Sequence, residues 1–352
     1  MQSNAIPESV RYPAGKGAWA VLWLCIAMTA SCSRPPELRV LRGHTMGTTY
    51  TVRLGQTPDG TDMASLARDI DRELAEIVSV MSSYSPESAV SRFNRLQTTD
   101  WVEVPRSLEQ LVEHAQTISR LTDGAFDITV APLVNAWGFG PKPDRTEPPA
   151  PDTIAHALAR VDFRLLRTRT DPPALQKTSP QVQIDLSAIA KGFAVDRIAR
   201  LLLDRGVQDF LIEIGGELRS HGSHKDGTPW TVGIETPDSS GATIQRILTL
   251  DAATAIATSG DYRNFFEFNG HHYSHIIDPR TGWPAETALA SVTVIADDCA
   301  TADALATALS VLGPEQGLRL AQGNKVTALF AVRNGSGFTE QQTGGFERWL
   351  SR

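Results

Sequence analysis

The 352-residue sequence predicts an α+β protein, a single large unit in which mixed sheets are flanked by helices. Two stretches in the first third carry apolar residues at helical spacing. A run of short strand-like segments between 231 and 295 is punctuated by Gly and Asn, and two further helical stretches follow it. With 41% hydrophobic and 21% charged residues, the chain has ample material for a core.

From the N-terminus, Arg11 and Lys16 precede an uncharged run, Ala18 to Ala30, which ends on small residues just before Cys32. A spanning helix needs about 20 apolar residues, so this shorter run reads as an export signal. The junction resembles the lipobox of bacterial lipoproteins, with Thr29 where Leu is usual. On that reading residues 1–31 are removed, Cys32 carries the lipid and residues 32–44 form a tether; ordinary signal cleavage would instead leave Cys32 a bare thiol. Loss of Glu8, Arg11 and Lys16, +1 in sum, takes the formal charge from -7 to -8. An acidic body without any Lys/Arg-rich run argues against nucleic acid as a partner. Cys299 then remains as the one body cysteine, so no internal disulfide is expected.

The body is expected over 45–335, with 336–352 as a tail. A strand is predicted over Thr45 to Leu54. Leu66, Ile70, Leu74, Ile77 and Met81 mark a core-facing helix, and Ser107 with Gln110 suggests a capping box for a second helix ending near Gly124. Five prolines between Pro141 and Asp152 predict a loop. A strand at Val182–Asp185, a helix from about Ser187 to Asp204 and a strand at Phe210–Ile214 make a β-α-β pattern. Strands follow at Thr231–Ile234, Arg246–Leu250, Phe265–Phe268, Tyr273–Ile277 and Ser291–Ile295. Helices at Ala300–Leu312 and Pro314–Gln322 and a strand at Val326–Val332 close the body.

Three segments could carry chemistry. Asp303 and Thr307, four apart on a helix, share one face and offer two hard oxygens of the kind magnesium takes, though such a pair also suits a solvated surface. Asp185 and Lys191 bracket a predicted helix start, a corner suited to phosphate, or else a cap and a solvated charge. No Walker A or G-x-G-x-x-G spacing accompanies them. The third segment runs from Thr258 to Asp261 and on through His271, His272, His275 and Asp278. Its histidines lack the spacing of a zinc site, and His275 reads as a proton carrier or as a hydrogen-bonded core residue.

These blocks stand in order with Met46-Gly47-Thr48, Met81-Ser82-Ser83-Tyr84-Ser85-Pro86, Gly124-Ala125-Phe126-Asp127-Ile128-Thr129, Trp137-Gly138, Ile214-Gly215-Gly216 and Ser259-Gly260-Asp261-Tyr262. Together they resemble the ApbE family of FAD:protein FMN transferases, from about Thr45 to Val332. Phe193 stands where that family commonly has Tyr. The resemblance implies a T-fold-like single catalytic unit with FAD as substrate. Met46, Tyr84, Ala125, Phe126, Asp127, Asp185, Lys191 and Ile276 match its FAD contacts. The Ala188 carbonyl, Asp303 and Thr307 match its Mg²⁺ ligands, and His275 matches a His near the reacting phosphate.

The chemistry so implied is attack by a Thr or Ser hydroxyl of an acceptor on the FMN-side phosphorus, releasing AMP. His275 is the candidate base, Lys191 a charge stabiliser, and Asp261 or Asp278 the lesser candidates for the base. The implied acceptors are exported electron-transport flavoprotein subunits, such as those of Na⁺-pumping quinone reductase, with a motif resembling D-x-x-T/S-G-A-T. The expected place is the periplasmic side of a membrane, the inner one favoured. Two other readings share these ligands: an FAD pyrophosphatase giving free FMN and AMP, and a lipoprotein that binds flavin without turnover.

Overall fold

The computed structural model describes residues 38–351 apart from 142–145, 238–242, 252, 262–263, 287 and 336. The export signal, Cys32 and the rest of the tether up to residue 37, Pro143 and Tyr262 therefore lie outside the described residues.

The chain opens as a hairpin rather than one strand, β1 (Arg39–Thr45) against β2 (Thr48–Leu54). Met46 and Gly47 turn it with positive φ at both positions (49° and 73°), which costs Gly nothing and is uncommon for Met. Helix α1 (Met63–Met81) follows the predicted periodicity. Asp62 caps it by accepting from the amides of Ala64 and Ser65, worth about 1 kcal/mol. A short helix α2 (Ala89–Arg95), capped by Ser88, and strand β3 (Trp101–Glu103) went unpredicted.

Helix α3 (Arg106–Leu121) begins behind Pro105, not Ser107, and no side chain caps it. Pro fits there because a helix start has spare amides, so the expected capping box is not formed. The proline-rich segment is partly helical: α4 (Ala131–Ala136) precedes it, and α5 (Pro151–Leu158) starts on its last proline. Strands β4 (Leu166–Thr170) and β5 (Pro173–Lys177) join β3 in a small sheet, ordered β3-β5-β4.

The predicted strand at Val182–Asp185 pairs with nothing regular. Asn94 holds it instead, its Nδ2 donating to the Ile184 carbonyl and its Oδ1 accepting from the Ile184 amide, both at 2.8 Å. A turn then leads into α6 (Ala190–Asp204), so the β-α-β reading is replaced by a loop, a helix and the antiparallel strand β6 (Phe210–Ile214). After β7 (Glu217–His221), the hairpin β8 (Thr231–Glu235) and β9 (Ile244–Thr249) leads to β10 (Ala253–Gly260) and a second hairpin, β11 (Phe265–Phe268) with β12 (His271–Ser274). Strand β13 (Leu289–Ala296), helix α7 (Cys299–Gly323), and strands β14 (Thr327–Asn334) and β15 (Gly337–Thr343) complete the order. Gly313 (φ 73°) and Pro314 break α7 where two helices were expected.

One antiparallel sheet of eight strands, ordered β1-β2-β6-β7-β10-β13-β14-β15, organises the described body. One face buries Tyr50, Val52, Ile212, Ala255 and Val292 against α1, α6 and α7; the other packs Leu211, Ile256 and Leu329 against Trp230 and Leu248 of the β8–β9 hairpin and against Phe346 and Trp349. The last two correct the expected tail: residues 337–349 supply an edge strand and buried aromatics, a period-2 segment too polar to stand out. At the other end β1 begins at Arg39, within the expected tether.

Candidate active site

A cleft of about 1740 Å³ opens at the ends of β2, β6 and β7, between the β1–β2 turn, the loop ahead of α6 and the first turns of α6 and α7. Met46, Tyr84, Ala125, Phe126, Asp127, Asp185, Ala188, Lys191, His275, Ile276, Asp303 and Thr307 all line it. Asp261 does not. Its carboxylate is held by Arg333, with Nη2 at 2.5 Å and Nη1 at 3.0 Å, which leaves it unsuited as a base. Asp278 is likewise taken, by Arg280 Nε (2.9 Å), Nη2 (2.8 Å) and backbone amide (2.9 Å).

The helical junction governs the polar end. Gly192 lets α6 and α7 touch: a Cβ there would lie 2.2 Å from the Cys299 carbonyl oxygen. Asp196, one turn on, accepts from the Cys299 and Ala300 amides at 2.9–3.0 Å and so caps α7 from its neighbour. This docks Asp303 against the start of α6, where its Oδ2 accepts the Gly192 amide at 3.1 Å. As the third residue of α6, Gly192 carries one of the amides that a helix start leaves without an intrahelical partner, and Asp303 fills that place. The Ala188 carbonyl, ahead of the helix, keeps no hydrogen bond among the described residues. Asp303 Oδ1 and Thr307 Oγ1, both on the cleft wall, are also unbonded there.

Three hard oxygens without protein partners fit a magnesium ion, which takes few protein ligands and keeps the rest for water and phosphate. Burial pushes the Asp303 carboxyl up, while Lys191 and the Gly192 amide pull it down. A bound dication would settle it as carboxylate.

Lys191 sits in the first turn of α6, its Nζ 2.5 Å from Glu217 Oε1. The side chains are 31% and 2% exposed, so the ammonium reaches the cleft while its partner is sealed beneath. Burial alone would lower Lys191, but Glu217 and Asp303 outweigh it and hold the amine protonated. Burial likewise raises Glu217, against the pull of Lys191; the short contact to a protonated amine is that of an ion pair. Sequence reading passed Glu217 over. A lone Glu opening a strand carries no spacing signal towards a lysine 26 residues away.

His275 is half-buried in the cleft lining. Its Nδ1 lies 3.0 Å from the Asn264 carbonyl, which can only accept, so Nδ1 carries the proton and Nε2 is left with a lone pair. Burial lowers its pKa, with Lys191 adding to the effect and Asn264 opposing it, so the ring is neutral near neutral pH.

The apolar positions divide. Tyr84 is 61% exposed at the mouth, its hydroxyl reaching only the Phe139 carbonyl (3.4 Å), and its ring face is available for stacking. Phe126, at 2%, is part of the core, and so supports the wall rather than offering a free ring. Asp127 is spent internally, accepting from the Thr129 amide and hydroxyl and the Phe163 amide, each at 2.7 Å. Asp185 similarly binds the Ser187 amide (2.7 Å), shaping the loop that presents Ala188. Cys299 is fully buried and its thiol is pushed up by burial, in keeping with a packed residue.

The ApbE family model matches residues 46–330. The FAD:protein FMN transferase of Vibrio cholerae is 40% identical over 336 residues, covering 95% of this chain and 99% of that protein. The enzyme of the same name from Escherichia coli K12 is 35% identical over 316 residues, covering 89% and 90%. Among solved structures, the flavin transferase ApbE from Vibrio cholerae superposes with a TM-score of 0.82 at 39% identity, over 89% of this chain and 99% of that one. The apo flavinyl transferase ApbE from Pseudomonas stutzeri gives 0.82 and 39%, over 89% and 97%.

Proposed function

The chain belongs to the ApbE family, and from that premise we propose that it transfers FMN from FAD to a Thr or Ser hydroxyl of an acceptor protein, with Mg²⁺ as cofactor and AMP as the leaving group. The observation that carries the reading is the Asp303–Gly192 hydrogen bond, which fixes the Asp303 carboxylate against the start of α6, where Lys191 is held protonated and the Ala188 carbonyl ahead of the helix has no hydrogen bond among the described residues. Such an end of a cleft suits a diphosphate.

Ala188 O, Asp303 and Thr307 would hold the ion; when bound, it would neutralise the diphosphate oxygens as charge builds on them. Lys191 adds a fixed positive charge on the same oxygens. His275 Nε2 accepts the hydroxyl proton as the acceptor oxygen bonds to the FMN-side phosphorus. The bond from that phosphorus to the bridging oxygen breaks, and AMP leaves with the electron pair. Tyr84 offers a ring face to an aromatic ring of FAD. The acceptors we propose are exported electron-transport flavoprotein subunits, met at the periplasmic side of a membrane to which Cys32 anchors the enzyme.

The test incubates the protein with FAD, Mg²⁺ and an acceptor bearing the D-x-x-T/S-G-A-T motif, then measures acceptor mass and AMP. One FMN gained per AMP released is expected, and chelation of the metal should stop both. Free FMN and AMP without an adduct on any such acceptor would replace the transferase with a pyrophosphatase. Bound FAD without AMP would leave a carrier.

A further inference from the structure

Glu217 carries an unexplained cost. It is almost fully buried, its Oε1 pairs with Lys191, and its Oε2 is sealed from solvent with no hydrogen-bond partner. Burying a carboxylate oxygen unpaired is expensive, and a neutral side chain would fill the space without that cost. The charge therefore does something there. Lys191 lies between two carboxylates, feeling both Glu217 and Asp303, yet its hydrogen bond goes to Glu217 alone. Asp303 thereby keeps Oδ1 free on the cleft wall.

We propose that Glu217 is a positioning residue for the cation site: by claiming the Lys191 ammonium it keeps that ammonium off Asp303, so that lysine and divalent cation bind side by side instead of competing for one carboxylate. The inference rests on the magnesium reading above and adds to it a residue that touches neither metal nor flavin. Remove the Glu217 charge and the nearest carboxylate for Lys191 is Asp303 itself. The lysine then occupies the cation's ligand and at the same time leaves the diphosphate.

The experiment titrates Mn²⁺, as a paramagnetic probe, into the protein at an FAD concentration that flavin fluorescence shows to saturate each variant, and reads binding by electron paramagnetic resonance. Apparent Mg²⁺ requirement for AMP release is measured in parallel. Glu217→Gln should weaken Mn²⁺ binding by roughly 10-fold to 100-fold, the usual effect of losing a group that orients a ligand. Lys191→Met should not weaken Mn²⁺ binding, since no ammonium remains to compete. The double variant Lys191→Met/Glu217→Gln should recover the Mn²⁺ affinity that Glu217→Gln loses, a suppression that damaged packing would not show.

A Glu217→Gln protein that binds Mn²⁺ like the unaltered one, or a double variant as weak as Glu217→Gln, overturns the proposal. If Glu217→Gln does not fold, the double variant is compared with Lys191→Met: equal affinities support the proposal and a weaker double variant defeats it. An unaltered protein that binds no Mn²⁺ overturns the magnesium reading and this inference together.

Discussion

A histidine whose Nδ1 is committed to a carbonyl has one nitrogen left for chemistry, and His275 holds that nitrogen neutral by burial and by the nearby Lys191 charge. Its titration falls below the ordinary histidine value near ~6.5. Protonation would remove the acceptor lone pair, so the acid limb of kcat/KM for FMN transfer should lie below that value, with the rate level through neutrality. The same shift makes the unfolded chain take up its proton first as pH falls, so this group also subtracts stability on the acid side of ~6.5. His275→Asn should keep FAD binding and lower transfer by about 10² to 10⁴, the range of a lost general base. Asp261→Asn should keep the limb and shift it only to lower pH, because Arg333 already occupies that carboxylate while its charge raises His275; a limb lost with Asp261 would reassign the base. At this scale the sequence was partly readable. Asp303 and Thr307 announce themselves by i,i+4 spacing. The Ala188 carbonyl is a main-chain group that no side-chain pattern marks, and it entered only through the family resemblance. Glu217 depends on β7 lying beside α6, a tertiary fact.

Between elements, the site depends on how closely α6 and α7 approach. Gly192 is the contact point, and the Asp196 carboxylate links the amides at the start of α7 to the body of α6. Arg219 of β7 pairs with the same Asp196, tying sheet to both helices. Gly192→Ala would set a methyl 2.2 Å from the Cys299 oxygen and 2.8 Å from Ala300 Cα, both backbone atoms that cannot swing aside. The helices must part, at a cost of about 1–3 kcal/mol by analogy with overpacked cores. Asp303 moves with α7. The expected result is a lower melting temperature together with a raised Mg²⁺ requirement, read by calorimetry and by AMP release against metal concentration; a loss of stability alone would detach the crossing from the cation site. The helices themselves were legible, since long periodic stretches such as Leu66 to Met81 specify their own register. Short strands were not. Residues 182–185 look like a strand by composition but are satisfied by Asn94, and β10 takes its pairing from β7 and β13, each across an intervening hairpin.

The described body is an antiparallel sheet with α1, α6 and α7 on one face and the candidate cleft at one end, and how the protein meets a membrane is a separate question. No helix among the described residues is long and apolar enough to cross one. The expected mature charge of -8 opposes approach to an anionic bilayer surface, where positive segments are the ones drawn in. The attachment proposed above is acylation of Cys32, each buried methylene contributing about 0.8 kcal/mol. Two outcomes distinguish this from electrostatic adhesion. The unaltered protein should stay with membranes through a high-salt wash, because salt screens charge without weakening apolar burial. Cys32→Ser should move to the soluble fraction with its FMN transfer rate on a soluble acceptor unchanged, since the described lining of the cleft runs from Leu38 to Thr307. Fractionation followed by immunoblotting, with incorporation of labelled fatty acid as the chemical check, reads both. A Cys32→Ser protein that stays on salt-washed membranes would move the anchor elsewhere in the chain, and one that is released but inactive would mean the lipid also positions the enzyme for transfer.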